Sequence, residues 1–313
     1  MSKKDLKQFL PLLTVVVVLV IHCVIPNKTD LGYSYYPRVL IGGAVIYIVL
    51  MLLGFKVKRI RDLLTHRAIF ISVLLIIIEA IDCMTLKSEF LPLPFFPSPD
   101  KMIYEFVEGW QMMGISALYS MRLLLTGFVV GCILGFITGL LLGWYEKAAY
   151  WIDPLMKFVG PLPATALLPL AMIAFPTSFM SSTFIIVFGV WFPMTIMTAA
   201  GIQSCRKSWL EGASVMGASN RQLVWHVAVP AAMPSIHTGM FMGLSNSFVT
   251  LITAEMLGVK AGLGWYIRWA TNWANYAKIY DVILIMAVLF SGMIKLQFYI
   301  RDRQLKWQEG IVK

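Results

Sequence analysis

Long apolar runs alternate with short polar segments along most of the chain. Eight of these runs are close to the roughly 20 residues that an α-helix needs to cross a bilayer. They occupy approximately residues 9–26, 38–55, 67–85, 118–143, 155–175, 181–201, 232–257 and 279–299. The pattern predicts an all-α membrane protein, built as a polytopic bundle of about eight transmembrane helices.

The fourth run carries a glycine at every fourth position. These glycines are Gly127, Gly131, Gly135, Gly139 and Gly143. Residues four apart lie on one face of a helix, so the glycines form a narrow stripe that lets a second helix approach closely. The stripe predicts a helix-packing seam, which is typical of the centre of a transporter and also of many other polytopic proteins.

Prolines crowd the fifth run, where they are expected to kink or break the helix. They are Pro154, Pro161, Pro163 and Pro169. A broken helix is tolerated in a membrane where protein or a water-filled cavity satisfies its backbone. The region therefore either borders the translocation path or is only structural.

A second group of prolines lies between the third and fourth runs, in residues 92–99. These prolines forbid a continuous helix through the segment. Asp100, which follows them, is expected to cap a short amphipathic helix that lies on the outer surface before the fourth span begins.

Residues 206–230 form an unusually long segment between the sixth and seventh runs. Two capping-box pairs mark helix starts in it, Ser208 with Glu211 and Ser219 with Gln222. Pro230 and the following Pro234 are expected to stop or bend the second helix near the membrane. Gly217 lies between the pairs and is expected to end the first helix. Two short helices joined at a glycine would form a knob suited to a groove on a soluble partner. An amphipathic loop on the lipid surface is the alternative.

The seventh run is the most polar of the predicted spans. Its polar residues include Ser245, Asn246, Thr250, Thr253 and Glu255. Polar groups are costly in lipid, so this set is expected to line the translocation pathway. Hydrogen bonding between helices is the alternative.

Other polar residues in or near the spans give weaker signals. Glu79 and Asp82 share a face near the outer end of the third span, where a functional role and simple solvation are both open. The four histidines are scattered and no pair has metal-ligand spacing, so no metal site is predicted.

Composition and charge agree with a membrane location. Of 313 residues, 59% are hydrophobic and 13% charged, and the net charge is +10. Basic residues cluster at Lys3, Lys4 and Lys7, in residues 56–67 and 202–230, and in the tail that ends at Lys313. By the positive-inside rule these segments and both termini are cytoplasmic. Such short clusters face lipid headgroups, so no nucleic-acid partner is predicted.

The segment after residue 206 resembles the "EAA" loop of ABC importer permeases, whose pattern is Glu-Ala-Ala-x3-Gly-x9-Ile-x-Leu-Pro. Four residues match at the family spacing: Glu211, Ala213, Gly217 and Pro230. Gly212, Val227 and Val229 depart from it. From about residue 90 to 307 the chain is similar to the nitrate/sulfonate/taurine permeases, through stretches such as Gly160-Pro161-Leu162-Pro163 and Ala254-Glu255-Met256-Leu257.

The resemblance implies a type I ABC importer-like core that works as a homodimer with two ATPase subunits and an extracytoplasmic solute-binding protein, in the cytoplasmic membrane of a prokaryote. The loop would dock on the ATPase through Ser208, Leu210, Glu211, Ala213, Met216, Gly217 and Arg221. The chain has no Gly-x4-Gly-Lys-Ser/Thr motif, so ATP and Mg²⁺ are expected on the partner chain. This chain is expected to be no enzyme and to bind no cofactor itself.

The sequence predicts that the chain is organised in four segments. Residues 1–65 form an N-terminal extension with two extra transmembrane helices, and 66–117 hold an additional span and an outer-surface segment. Residues 118–300 form the permease core with its coupling loop 206–230, and 301–313 form a cytoplasmic tail.

The substrate expected from the resemblance is a small anion such as a sulfonate, taurine or nitrate. A vitamin precursor or other small heterocycle is the second expectation. A secondary transporter and a membrane-embedded enzyme are the alternative classes. The first has no need of a long capped loop, and the second needs a cluster of His, Asp or Glu near the interface.

Overall fold

The computed structural model describes residues 7–29 and 32–306, and every regular element in these ranges is helical. The α-helices are α1 (Leu10–Val24), α2 (Tyr36–Lys56), α3 (Lys58–Asp82), α4 (Pro99–Trp144), α5 (Glu146–Val159), α6 (Leu168–Ala174), α7 (Ser178–Gln203), α8 (Lys207–Val215), α9 (Asn220–Gln222), α10 (Val229–Leu257), α11 (Leu263–Asn272) and α12 (Tyr276–Gln304). Short 3₁₀ helices cover Lys7–Phe9 and Ala164–Leu167, and π-helical turns cover Cys83–Lys87 and Leu223–Ala228. The predicted cytoplasmic residues Lys3, Lys4 and Lys313 lie outside the described residues.

Seven helical stretches in the described ranges are long and apolar enough to cross a membrane. They are Lys7–Val24, Tyr36–Gly54, Lys58–Lys87, Pro99–Trp144, Ser178–Gln203, Asn220–Leu257 and Tyr276–Gln304. The fifth predicted span is broken into Glu146–Val159 and Ala164–Ala174, which meet at 89°. Only together are these two helices long and apolar enough to cross a membrane. The total is therefore seven or eight spans, and the predicted helical bundle is confirmed.

Helix α4 differs from the prediction because it runs unbroken for 46 residues from Pro99. The short surface helix predicted before the fourth span is thus wrong. Pro99 occupies the first helical position, where a missing N–H costs nothing, and no proline follows it within the helix. The amide of Lys101 donates to Ser98 Oγ at 3.3 Å, so Ser98 rather than Asp100 caps the helix. The Asp100 carboxylate instead accepts from the amide of Tyr35.

The chain divides into two compact units. One comprises the described residues up to Trp110 together with Ala270–Asp281, and the other Gln111–Trp269 with the described residues from Val282 on. In the first unit, α1 packs on α3 and a small core includes Val18 and Leu40. In the second, α7 packs along α10, and residues of α4 complete the main apolar core.

The glycine stripe of α4 lies against α7. A Cβ atom on Gly127 would lie 2.5 Å from the Ile186 side chain, and one on Gly139 would lie 2.6 Å from the Thr195 carbonyl oxygen. Gly131, Gly135 and Gly143 make the same close approach to α7. The two helices can pack at this distance only because the stripe carries no side chains.

Candidate functional site

Helix α8 contains no buried residue. Its apolar end consists of Val215, which is 88% exposed, and the following Met216, which is 84% exposed. Trp209 is also exposed, and the Arg206 guanidinium lies 5.4 Å from the centre of its ring. Exposed apolar groups concentrated on one short helix are typical of a surface that contacts a protein partner or lipid. We call α8 with residues 216–222 the coupling knob.

Gly217 ends α8 as predicted. Its φ of +85° is left-handed, a conformation that glycine adopts without strain. The amide of Gly217 donates to the Ser214 carbonyl at 2.9 Å, and the amide of Ala218 donates to the Ala213 carbonyl at 3.1 Å. These two bonds form a Schellman motif, which satisfies the carbonyls at the end of the helix. The knob therefore has a defined backbone despite its exposure.

The predicted capping box at Ser208 is wrong. Arg206 has the extended backbone of an N-cap (φ −63°, ψ 125°), α8 begins at Lys207, and no side chain caps it. The chain leaves α7 through a turn at Ser204. The N-cap of α8 is therefore Arg206, two positions before Ser208. Of the other predicted docking residues, Glu211 and Arg221 are exposed, and Leu210 and Ala213 are half-buried.

The second capping box is present, but the helix it starts is not short. The amide of Ser219 donates to Gln222 Oε1 at 2.8 Å. Of the two predicted effects of Pro230 and Pro234, to stop or to bend this helix, the stop is wrong, because the helix continues through the π-helical turn into α10. Pro230 occupies the second position of α10, and the wide turn just before it relieves the clash of a proline ring with the preceding turn. The knob is thus continuous with a membrane span.

A cavity of about 430 Å³ lies where the fifth span breaks. It is lined by Val159, Gly160, Pro161, Leu162, Pro163, Ala164, Thr165, Phe188, Gly189, Phe192, Asn246, Val249 and Thr250. None of these described lining residues carries a charge. Non-helical backbone at membrane depth is tolerated where it lines a cavity or is covered by protein, and here it forms one wall of the cavity.

Two of the five predicted pathway residues line this cavity. Asn246 Nδ2 donates to the Gly189 carbonyl at 2.8 Å, which fixes its amide across α7 and α10. Thr250 Oγ1 donates to the Asn246 carbonyl at 3.2 Å within its own helix. The hydroxyls of Ser245 and Thr253 also donate to their own helix, and neither residue lines the cavity.

Glu255, predicted in the pathway, is fully buried away from the cavity. Its carboxylate accepts from Ser120 Oγ at 2.7 Å and from the Gly264 amide at 2.8 Å. The same Ser120 hydroxyl accepts from the Leu263 amide at 2.8 Å. Gly262, with φ of +133°, brings the backbone so close that a Cβ would lie 2.5 Å from the carboxylate. Glu255 thus anchors the start of α11 to α4 and α10, which agrees with the alternative of hydrogen bonding between helices.

We expect Glu255→Ala to destabilise the permease by about 3 kcal/mol, because it leaves the buried Ser120 hydroxyl and Gly264 amide without their acceptor. Thermal unfolding of the purified protein in detergent measures this loss. Glu108→Ala, which removes an exposed carboxylate from α4, is the matched control and should leave the melting temperature unchanged. Equal melting temperatures for the two variants would contradict the anchoring role.

A broken span that lines a cavity, together with an exposed knob, is an arrangement expected of a helical membrane permease. Residues 127–303 match the model of a protein family described as binding-protein-dependent transport system inner membrane component. The chain belongs to this family, and its fold is that of a type I ABC importer permease. It is a transport subunit rather than an enzyme, which confirms the resemblance seen in the sequence.

Individual relatives agree with this assignment. The chain is 29% identical over 190 residues to an ABC transporter permease candidate of Brucella abortus, covering 61% of this chain and 76% of the relative. It is 28% identical over 184 residues to a candidate aliphatic sulfonates transport permease of Bacillus subtilis, covering 59% and 67%. It is 27% identical over 200 residues to a nitrate import permease of Synechocystis, covering 64% and 70%.

Proposed function

We propose that this chain imports a small solute across the cytoplasmic membrane of a prokaryote by alternating access, driven by a separate ATPase docked on the coupling knob. Two copies of the chain would form the pathway, with two ATPase subunits inside and a solute-binding protein outside. The observation that carries the proposal is the knob itself, which is exposed, has an apolar end and is continuous with α10. A force applied to the knob would therefore reach the span that lines the cavity.

The distribution of positive charge supports a topology with both ends in the cytoplasm. The basic segments 56–67 and 202–230 must lie on the same side of the membrane. This requires an even number of crossings between them. Helices α3, α4 and α7 provide three, so the bent pair at Glu146–Val159 and Ala164–Ala174 must provide the fourth. The bent pair is thus proposed to cross the membrane rather than to enter and return.

Two substrate classes are supported by different observations. The relatives include permeases named for nitrate, bicarbonate and aliphatic sulfonates, which favours a small anion. The cavity lining favours a small uncharged heterocycle, because it offers an amide, hydroxyls and two phenylalanine rings but no cation among its described residues. We propose the anion first, since its recognition can reside in the solute-binding protein.

Affinity purification of the tagged chain from its native membranes, followed by mass spectrometry, tests the proposal. We expect an ABC ATPase and a solute-binding protein to co-purify in mild detergent. Native mass spectrometry of the recovered binding protein should then reveal its bound solute and decide between anion and heterocycle. Absence of any ATPase from several mild detergents would contradict the proposed coupling.

The cavity makes a separate prediction about transport. Asn246→Leu replaces the one side-chain amide among the described lining residues by an apolar group of similar size, and it removes the bond to the Gly189 carbonyl. We expect uptake to fall about tenfold, corresponding to roughly 1.4 kcal/mol, while ATPase co-purification is unchanged. Radiolabelled solute uptake in cells measures the effect. Ser245→Ala, one residue away and outside the lining, is the control and should retain uptake.

A further inference from the structure

A cluster of buried ionisable residues lies in the first unit, between α1 and α3. His22 on α1 places Nδ1 3.2 Å from Asp82 Oδ2 on α3. Glu79 lies one turn before Asp82, and one ligand atom from each of these three residues lies within 4.8 Å of the other two. The side chains are almost fully buried, and Asp82 has no exposed surface. Sequence spacing did not reveal the cluster, because His22 lies far along the chain from the two carboxylates.

The polar atoms at the centre of the cluster lack hydrogen-bond partners among the described residues. They are His22 Nδ1 and both carboxylate oxygens of Asp82. Nδ1 and Oδ2 are 3.2 Å apart, which is the distance of an ion pair when His22 is protonated, but neither atom has a hydrogen-bond partner among the described residues. Buried groups of this kind nearly always have a partner, and a carboxylate left without one is costly. Three such atoms facing one another indicate that something else satisfies them.

We propose that His22, Glu79 and Asp82 bind a divalent transition-metal ion of the zinc class. One imidazole and two carboxylates are ligands that Zn²⁺ accepts, and an ion about 2.0–2.1 Å from each of two ligands holds them about 3.3 Å apart. The Nδ1–Oδ2 distance of 3.2 Å matches that spacing. Glu79, whose ligand atom lies within 4.8 Å of the other two, would complete the set by moving toward them. The bound ion would cross-link α1 to α3.

The surroundings of Glu79 fit this arrangement. Tyr36 Oη donates to Glu79 Oε2 at 3.2 Å, and Lys87 Nζ lies 3.5 Å from Oε1 and donates to the Ile21 carbonyl at 3.1 Å. Such contacts to a ligating carboxylate orient it, as outer-shell groups do in known metal sites. The cluster holds two carboxylates and a single ammonium, so acidic groups outnumber basic ones around the proposed ion. A hydrogen held between His22 Nδ1 and Asp82 Oδ2 is the competing occupant.

Metal binding by the full-length protein in detergent tests the proposal. Purified protein is stripped with chelator, incubated with Zn²⁺ or Co²⁺, desalted, and measured by elemental mass spectrometry. We expect about one Zn²⁺ per chain in the wild type, visible Co²⁺ absorption bands, and a melting temperature that rises with added Zn²⁺. Asp82→Asn and His22→Gln should reduce all three signals to background.

The matched control is the double variant Asp62→Asn with His66→Gln, which removes an exposed Asp and His from the same helix α3. It should bind Zn²⁺ like the wild type. Circular dichroism and a single gel-filtration peak establish that each variant is folded. The proposal is overturned if folded wild type binds no more Zn²⁺ than Asp82→Asn, in which case the proton or a water molecule occupies the cluster.

Discussion

Gly139→Val is expected to leave almost no folded permease in the membrane. A Cβ at this position would lie 2.6 Å from the Thr195 carbonyl oxygen and 2.6 Å from the Thr198 Cβ on α7. The first of these atoms is backbone inside a helix, so no side-chain rotation relieves the contact and the two helices must separate. Overpacking in cores costs about 1–3 kcal/mol where side chains can adjust, and we expect at least about 3 kcal/mol here. The yield of monodisperse protein after extraction measures the loss.

Gly114→Val is the control for this experiment. Gly114 lies on the same helix α4 and is exposed, and a Cβ atom added to it would have no neighbouring atom of the described chain within 4 Å. Both substitutions place a β-branched residue in a helix, so their effects on helix propensity are equal and cancel in the comparison. A yield for Gly139→Val close to that of Gly114→Val would show that the seam tolerates side chains, against the structure.

The sequence predicted those features that depend on local periodicity. A four-residue glycine spacing specifies one helix face, so the seam could be predicted, although α7 as its partner could not. Gly217 could be predicted to end α8 because a left-handed residue there favours glycine. The apolar runs indicated the spans because a backbone in lipid has few alternatives to a helix.

Helix boundaries were predicted less well, because the effect of a proline depends on its position in the helix. Pro99 lies in the first turn of α4, where it is tolerated, and Pro230 follows a π-helical turn that accommodates it. Pro161 and Pro163, in contrast, lie in the break where the fifth span bends by 89°. Ser208 illustrates the same difficulty. Ser208 and Glu211 have the spacing of a capping box, but the turn after α7 sets the start of α8 at Lys207, so Ser208 lies inside the helix.

Features formed by distant residues could not be predicted from spacing. Glu255 was expected in the pathway because a carboxylate in a span favours a functional role. Its partner Ser120, however, is 135 residues away and makes it an anchor. Asn246 and Thr250 line a cavity, but that cavity also requires the broken backbone after Val159. Tertiary contacts decide which polar residues of one helix share a role.

The double variant Val215→Asp with Met216→Asp is expected to abolish solute uptake while leaving the permease folded. Both side chains are more than 80% exposed at the end of the coupling knob, so the described chain loses little packing when they change. In the proposed complex they would enter a groove on the ATPase. Replacing them by two carboxylates would remove apolar contact whose stabilising free energy is roughly 25 cal/mol per Å² of buried surface. The carboxylates would also have to lose their hydration on entering the groove, which is costly. Loss of ATPase co-purification, scored by mass spectrometry, should accompany the loss of uptake.

Phe90→Asp separates a docking defect from a general effect of added charge. Phe90 is 75% exposed and lies in the segment between the third and fourth spans, which the proposed topology places outside the cell. Phe90→Asp also replaces an exposed apolar side chain by a carboxylate, but on the opposite side of the membrane, so this variant should retain the ATPase. If the knob variant also retains the ATPase and transports normally, the knob is not the coupling surface. If it loses the ATPase but melts at the wild-type temperature, the exposed end of α8 is the surface on which the ATPase docks.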